Sequence, residues 1–322
     1  MSTSSRTTTP TRGTTRVALL AAAVLALVAG CGSNDPETVG APEPAAASSA
    51  FPVTVTSATG PLTLEARPGR IVSLSPTATE TLFAVGAGAQ VVAVDDQSDF
   101  PAEAPVTDLS GFTPNVEAVA GYRPDLVVVS DDLGGIVDAL TALDVTVLVQ
   151  PAVSTLDEAW AQIEALGDAT GNGARAEELV GELEQRVEAA VASVPASAKG
   201  LRVFHELDDT LFTVTSRTFV GSVEKALGLV NVADDVAPGN DYPQLSAEAL
   251  VKAAPQVVVL ADTACCAQTA QTFGARPGFS ALPAVTEGRV VEVDDDLASR
   301  WGPRIAEFAE VLAAALGGTP TR

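Results

Sequence analysis

One stretch limits the possible folds of this chain more than any other: Gly173–Val194, GARAEELVGELEQRVEAAVASV. Leu179, Val180, Leu183, Val187, Val191 and Val194 recur at helical spacing, while Glu and Arg fill the opposite face. At 1.5 Å per residue such a helix is roughly 33 Å long, about the width of a small domain. The sequence on its two sides repeats. NVEAVAGYRPDLVVVSDD (Asn115–Asp132) precedes it and SAEALVKAAPQVVVLADT (Ser246–Thr263) follows it. Laid together without gaps, Glu117 meets Glu248, Pro124 meets Pro255, the runs Leu126–Val129 and Val257–Leu260 coincide, and Asp131 meets Asp262. A fainter echo pairs Gly88–Asp96 with Gly288–Asp296. The pattern predicts two similar lobes, 52–172 and 197–322, bridged by one long helix over 173–196.

A chain of 322 residues is long enough for two cores, and 47% hydrophobic with 18% charged residues marks it as globular. Its 41 acidic residues against 18 basic give a net charge of −23. That balance excludes the basic face a nucleic-acid binder needs; the acidity reads first as a device for solubility.

The first thirty residues are an address rather than structure. Arg6, Arg12 and Arg16 precede the apolar run Val17–Val28, and Ala29-Gly30-Cys31 follows. This is the layout of a secretory signal over 1–30, and twelve apolar residues are too few to span a bilayer. Its loss removes three arginines and no acid, taking the charge from −23 to −26. Leu27-Val28-Ala29-Gly30-Cys31 resembles a bacterial lipobox, which implies a diacylated Cys31 that anchors the chain to the outer face of the cell membrane. Residues 31–51 are rich in Pro, Ala and Ser and suit a flexible tether. Export also places Cys265 and Cys266 in an oxidising compartment.

Beyond the tether, short β-branched runs alternate with helical patterns. A strand or hairpin is expected over 51–64 with its turn at Gly60-Pro61, then strands at 71–74, 91–94, 126–129 and 145–149. Helices are expected after Pro76, with Thr77 and Glu80 at capping-box spacing, and over 115–120, 134–143 and 156–166. Past the long helix the same alternation predicts strands at 201–204, 211–214, 257–260 and 290–293, and helices at 219–227, 247–253 and 305–316. Parallel sheets covered by helices follow from this order.

Catalysis is poorly provided for. His205 is the single histidine, so no histidine cluster can hold zinc, and it reads as a structural residue beside Phe204. There is no G-x-S-x-G elbow, and Gly86-Ala87-Gly88 follows a helix where a dinucleotide fingerprint would open one. No resident metal or cofactor is indicated. Adjacent Cys265 and Cys266 end the Val257–Leu260 strand; they form either a vicinal disulfide or a free pair. In Arg300-Trp301-Gly302-Pro303-Arg304 an aromatic stands between two guanidinium groups, which suits a flat ligand with carboxylates. The bland alternative is that both arginines neutralise Asp294–Asp296. Arg300 is placed at the ligand and Arg304 with the acids.

SLSPTATETLFAVG, VVAVDDQSDFP, NVEAVAGYRPDLVVVS, YPQLSAEALVKAAPQVVVL and SRWGPRIAE together resemble the substrate-binding proteins of ABC importers for cobalamin, ferric siderophores and haem, in the same order from about Val53 to Leu316. The resemblance implies two α/β lobes with mainly parallel sheets, bridged by a single helix, with a ligand in the cleft and no enzymatic activity. It implies that Glu117 and Glu248 dock on an ABC permease dimer served by its ATPase, and that the chain works as a monomer. The implied cleft residues are Ser75, Pro76, Gln97, Phe100, Gly111, Phe112 and Asp131 from the first lobe and Arg217, Tyr242, Arg300 and Trp301 from the second. Gln97 stands where relatives that bind cobalamin carry an aromatic, and relatives for bare zinc or manganese use several histidines. A ferric siderophore is the leading ligand, because Arg217 and Arg300 could pair with an anionic complex; cobalamin, and haem with Tyr242 on iron, are the alternatives. The rival classes are an exported enzyme on the same scaffold and a surface interaction lipoprotein.

Overall fold

The computed structural model describes residues 51–318 apart from Ala237; the signal segment, Cys31 and nearly all of the tether lie outside the described residues. The chain opens with an antiparallel hairpin, β1 (Val53–Ser57) and β2 (Gly60–Leu64). Its turn falls at Ala58-Thr59, two residues earlier than expected, because Gly60 at φ +113° already pairs with Ser57.

The first lobe continues with β3 (Ile71–Leu74), α1 (Pro76–Ala84), β4 (Val91–Val94), α2 (Val116–Gly121), β5 (Leu126–Val129), α3 (Ile136–Thr141), β6 (Thr146–Val149) and α4 (Leu156–Thr170). Its four strands are parallel in the order β4-β3-β5-β6. After α5 (Gly173–Ser193) come β7 (Arg202–Glu206), α6 (Phe219–Ala226), β8 (Val230–Asn231), α7 (Ala233–Val236), α8 (Ala247–Ala253), β9 (Val257–Leu260), α9 (Ala270–Gly274), α10 (Pro283–Thr286), β10 (Val290–Glu292) and α11 (Ile305–Leu316). The second sheet is also parallel, in the order β10-β9-β7-β8.

The inner strands β5 and β9 are buried at every residue, as parallel strands covered on two faces require. Side chains on one face of each sheet join the helices α1, α4, α5, α6 and α11 in a continuous core that includes Ile71, Val128, Leu183, Val203, Val259 and Phe308. The outer faces form two smaller cores, around Val127, Ile136 and Leu140 in one lobe and Phe204, Phe273 and Phe279 in the other. Helix α5 lies against α4 of the first lobe and α11 of the second. Leu179, Val180, Leu183, Val187 and Val194 are buried as the periodicity predicts, and Ala176 and Ala190 complete the stripe. At the α4–α5 elbow a Cβ on Gly167 would stand 2.2 Å from Ala176 Cβ, so the close approach of the two helices depends on that glycine.

Three expectations fail. The segment 211–214 makes only isolated bridges, Glu206 with Thr213 and Phe212 with Gln244. Asp208 caps a turn by accepting from the Thr210 amide, and Leu211 follows at φ +72°, outside any strand. The fainter echo of Gly88–Asp96 in Gly288–Asp296 is not a structural repeat. In the sheet orders, β4 neighbours β3, the counterpart of β7, whereas β10 neighbours β9, the counterpart of β5. Finally, α1 is capped by Ser75, whose Oγ accepts from the Ala78 amide at 3.4 Å, with Pro76 in the first turn. Glu80 then falls two residues past the position that could cap, and its carboxylate is used elsewhere.

Candidate functional site

The C-terminal ends of β3, β4 and β5 and the segment between β10 and α11 enclose a cavity of about 360 Å³. Such strand ends are where open α/β sheets leave a crevice. The first lobe lines it with Ser75 and Pro76 at the end of β3, Asp95 and Gln97 after β4, Gly111 and Phe112, and Ser130 and Leu133 after β5. Asp296, Ser299, Arg300 and Trp301 line it from the second lobe.

Asp95 is buried and held by hydroxyls. Ser98 Oγ donates to Asp95 Oδ1, Thr79 Oγ1 lies 2.8 Å from Ser98 Oγ, and Thr79 Oγ1 donates to Ser73 Oγ at 2.9 Å. Burial pushes the Asp95 carboxyl up to about 6, against the lowering effect of the Ser98 bond. Gly111 makes room for it: a Cβ there would lie 2.7 Å from Asp95 Oδ2 and 2.7 Å from the Leu74 carbonyl. Phe112 stands exposed at the mouth.

Arg300 has both terminal nitrogens engaged by its own protein. It donates to Glu80 Oε1 at 2.9 Å and the Gln97 carbonyl at 2.9 Å, pairs with Asp296 at 2.6 Å and reaches Asp99 at 3.4 Å. Arg304 grips Glu80 with two bonds of 3.0 and 2.7 Å, and its guanidinium carbon sits 4.3 Å from the centre of the Phe100 ring. Glu80, 3% exposed on α1, thus ties the first lobe to two arginines of the second. Burial also raises the Asp296 carboxyl. The Trp301 indole donates to Gln162 Oε1 on α4 at 2.9 Å.

Seven of the residues singled out from sequence meet at this cavity: Ser75, Pro76, Gln97, Gly111, Phe112, Arg300 and Trp301. Four stand elsewhere. Phe100 lines a neighbouring hollow with Glu80, Pro303 and Arg304. Asp131 is exposed and accepts from the Asp132 amide, its neighbour Ser130 facing the cavity instead. Arg217 is bound to Asp241 at 2.6 Å and to the Asn240 carbonyl at 3.2 Å, and Tyr242 is exposed beyond the lining. Arg304, expected with the 294–296 acids, pairs with Glu80 instead, and among the described residues it is Arg300 that pairs with one of those acids, Asp296. The sequence pattern does not mark Asp95, Asp296 or Glu80 as residues of this site. The run Val91–Val94 followed by two aspartates marked a strand end, and that was the available signal for Asp95.

The other marked groups lie apart. Glu117 and Glu248 are exposed in the first turns of α2 and α8, which are capped by Asn115 and Ser246. Cys265 and Cys266 are joined as a vicinal disulfide on an exposed loop. Asp295 holds that loop by accepting from the Ala264 and Cys265 amides at 2.9 and 2.8 Å. His205 is fully buried, with Nδ1 2.9 Å from Glu224 Oε1 and its ring edge-on to Phe308. On the other face of β7, burial pushes the Glu206 carboxyl up to about 7 although Arg276 grips it at 2.6 and 2.8 Å.

Comparison with known proteins agrees with this architecture. The chain is 31% identical to the ABC transporter substrate-binding lipoprotein YvrC of Bacillus subtilis over 309 residues, covering 93% of this chain and 95% of that protein. It is 31% identical to a cobalamin-binding protein of Halobacterium salinarum over 96% of this chain and 86% of that one. Among solved structures it resembles the periplasmic vitamin B12 binding protein BtuF of Vibrio cholerae, with a TM-score of 0.67, 26% identity and coverage of 79% of this chain and 99% of that one. The model of the periplasmic binding protein family matches residues 71–297, more than half of the chain, and the chain belongs to that family.

Proposed function

We propose that the chain is an extracytoplasmic receptor that captures a metal chelate between its lobes and delivers it to an ABC-type importer. The observation that carries this reading is a single cavity to which both lobes contribute, Asp95 and Gly111 from one and Asp296, Arg300 and Trp301 from the other. A ligand touching both walls is bound best when the lobes sit together, which gives a transporter something to recognise. Glu117 and Glu248 are the docking anchors on this reading, a diacylated Cys31 holds the receptor to the membrane, and it works as a monomer.

Relatives are named for cobalamin, vitamin B12, haem and iron. The case for an anionic siderophore rested on Arg217 and Arg300, and both are engaged by carboxylates of the chain. A corrinoid therefore leads, with Pro76, Leu133, Phe112 and Trp301 supplying apolar surface for its macrocycle. Native mass spectrometry of the protein purified from its own host tests this directly. A retained corrinoid mass is expected; a retained siderophore would restore the earlier order, and a chelate-free protein that binds none of these when soaked would remove the reading.

A further inference from the structure

We infer that the cavity selects by charge, accepting a chelate whose periphery is uncharged or cationic and turning away one that carries carboxylates; this rests on the receptor reading above. Among the described residues, Arg300 is the one cation in the lining. Its Nη1 donates to Glu80 and Asp99, and its Nη2 binds the Gln97 carbonyl and Asp296. An entering carboxylate would have to displace one of these partners while taking a place beside Asp95 and Asp296. Around the cavity Asp95, Asp296, Glu80 and Asp99 outnumber Arg300 and Arg304, so the field there disfavours an anion. Arg217 lies outside the lining and is paired with Asp241 at 2.6 Å.

The other charged groups of the lining are acceptors. Asp95 and Asp296 can take hydrogen bonds from amides or hydroxyls, and both would attract a positive edge. Rejection works because a ligand carboxylate finds both terminal nitrogens of Arg300 engaged and meets like charge, which is how a site discriminates without new attractive contacts.

The test is calorimetric titration of the full chain at neutral pH with four probes. They are cyanocobalamin, uncharged overall; ferrioxamine B, cationic; hemin, with its propionates; and ferric enterobactin, anionic. We expect an uncharged or cationic probe to bind about tenfold or more tightly than either anionic one. The variant Asp99→Asn with Asp296→Asn, which removes two negative charges beside Arg300 and leaves Glu80 and the Gln97 carbonyl holding it, should shift the preference toward hemin by about tenfold. Asp99 is exposed, so Asp99→Asn alone gives the same reading, with a smaller shift, if the double variant folds poorly. Tightest binding by hemin or ferric enterobactin, or an unmoved preference in the variants, overturns charge selection and leaves the receptor reading standing. Binding of none of the four overturns both.

Discussion

Glu80 and Arg304 face each other across the two lobes, with guanidinium nitrogens 3.0 and 2.7 Å from the two carboxylate oxygens. Arg300 donates to the same carboxylate at 2.9 Å. A buried carboxylate shared by two arginines is balanced only while all three remain, and removing one member leaves uncompensated charge. Glu80→Ala should therefore cost about 3 kcal/mol of unfolding free energy, from the range measured for broken buried pairs. Urea titration of the variant checks this. A loss below about 1 kcal/mol would mean that solvent already screens the pair.

Asp95 makes stability depend on pH. Its native carboxyl titrates at about 6 against 3.8 for an unperturbed aspartate, so the folded state keeps the proton longer than the unfolded chain. The contribution is fully present below about pH 4 and is lost as pH rises through about 6, by up to about 3 kcal/mol. Glu206, pushed up to about 7 by burial, works in the same direction. Asp95→Asn should abolish the first part, so the stability gap between variant and parent should widen in the variant's favour from pH 4.5 to 7.5. A gap that stays constant across that range would remove Asp95 as the source.

Much of the fold could be read from local pattern, and the reasons are physical. Helix α5 was legible because one face is buried along its whole length, and β5 and β9 were legible because burial on both faces demands continuous β-branched runs. The same uniformity misled in the pairing of Gly88–Asp96 with Gly288–Asp296, since valines suit any buried parallel strand whatever its place in the sheet order. Glu80 was illegible for the opposite reason. Thr77 and Glu80 have the spacing of a cap, whereas the true partners, Arg300 and Arg304, lie 220 and 224 residues away. Asp131 and Ser130 differ by one residue at a strand end, and which of them faces the cavity depends on register and local backbone.

Trp301 reports on the cavity. Its indole is half-buried in the lining and tethered to Gln162, while Trp160, the other tryptophan, is buried in the core of α4. In a Trp160→Phe background, saturation with a bound chelate should quench or shift the remaining fluorescence. An unchanged spectrum with a chelate that calorimetry shows to bind would move the binding site away from Trp301.

The two exposed glutamates give the sharpest test of delivery. Glu117 and Glu248 occupy one position of the repeat that forms α2–β5 in one lobe and α8–β9 in the other. Each sits in the first turn of a short helix capped by Asn115 or Ser246, where a carboxylate favours the helix dipole by about 0.3–1 kcal/mol. If that were their whole role, replacement would lower stability slightly and change nothing else. On the proposed docking, the pair of exposed anions related by the repeat would meet a two-fold transporter, each desolvated against an arginine of one subunit. Truncating one side of such a contact costs about 2–5 kcal/mol of binding. The double variant Glu117→Arg with Glu248→Arg should thus keep ligand affinity and melting temperature near those of the parent, because neither residue lines the cavity or the core. It should abolish uptake and permease-stimulated ATP hydrolysis in a reconstituted importer. Uptake at the parent rate would leave the two glutamates as helix-end charges and nothing more.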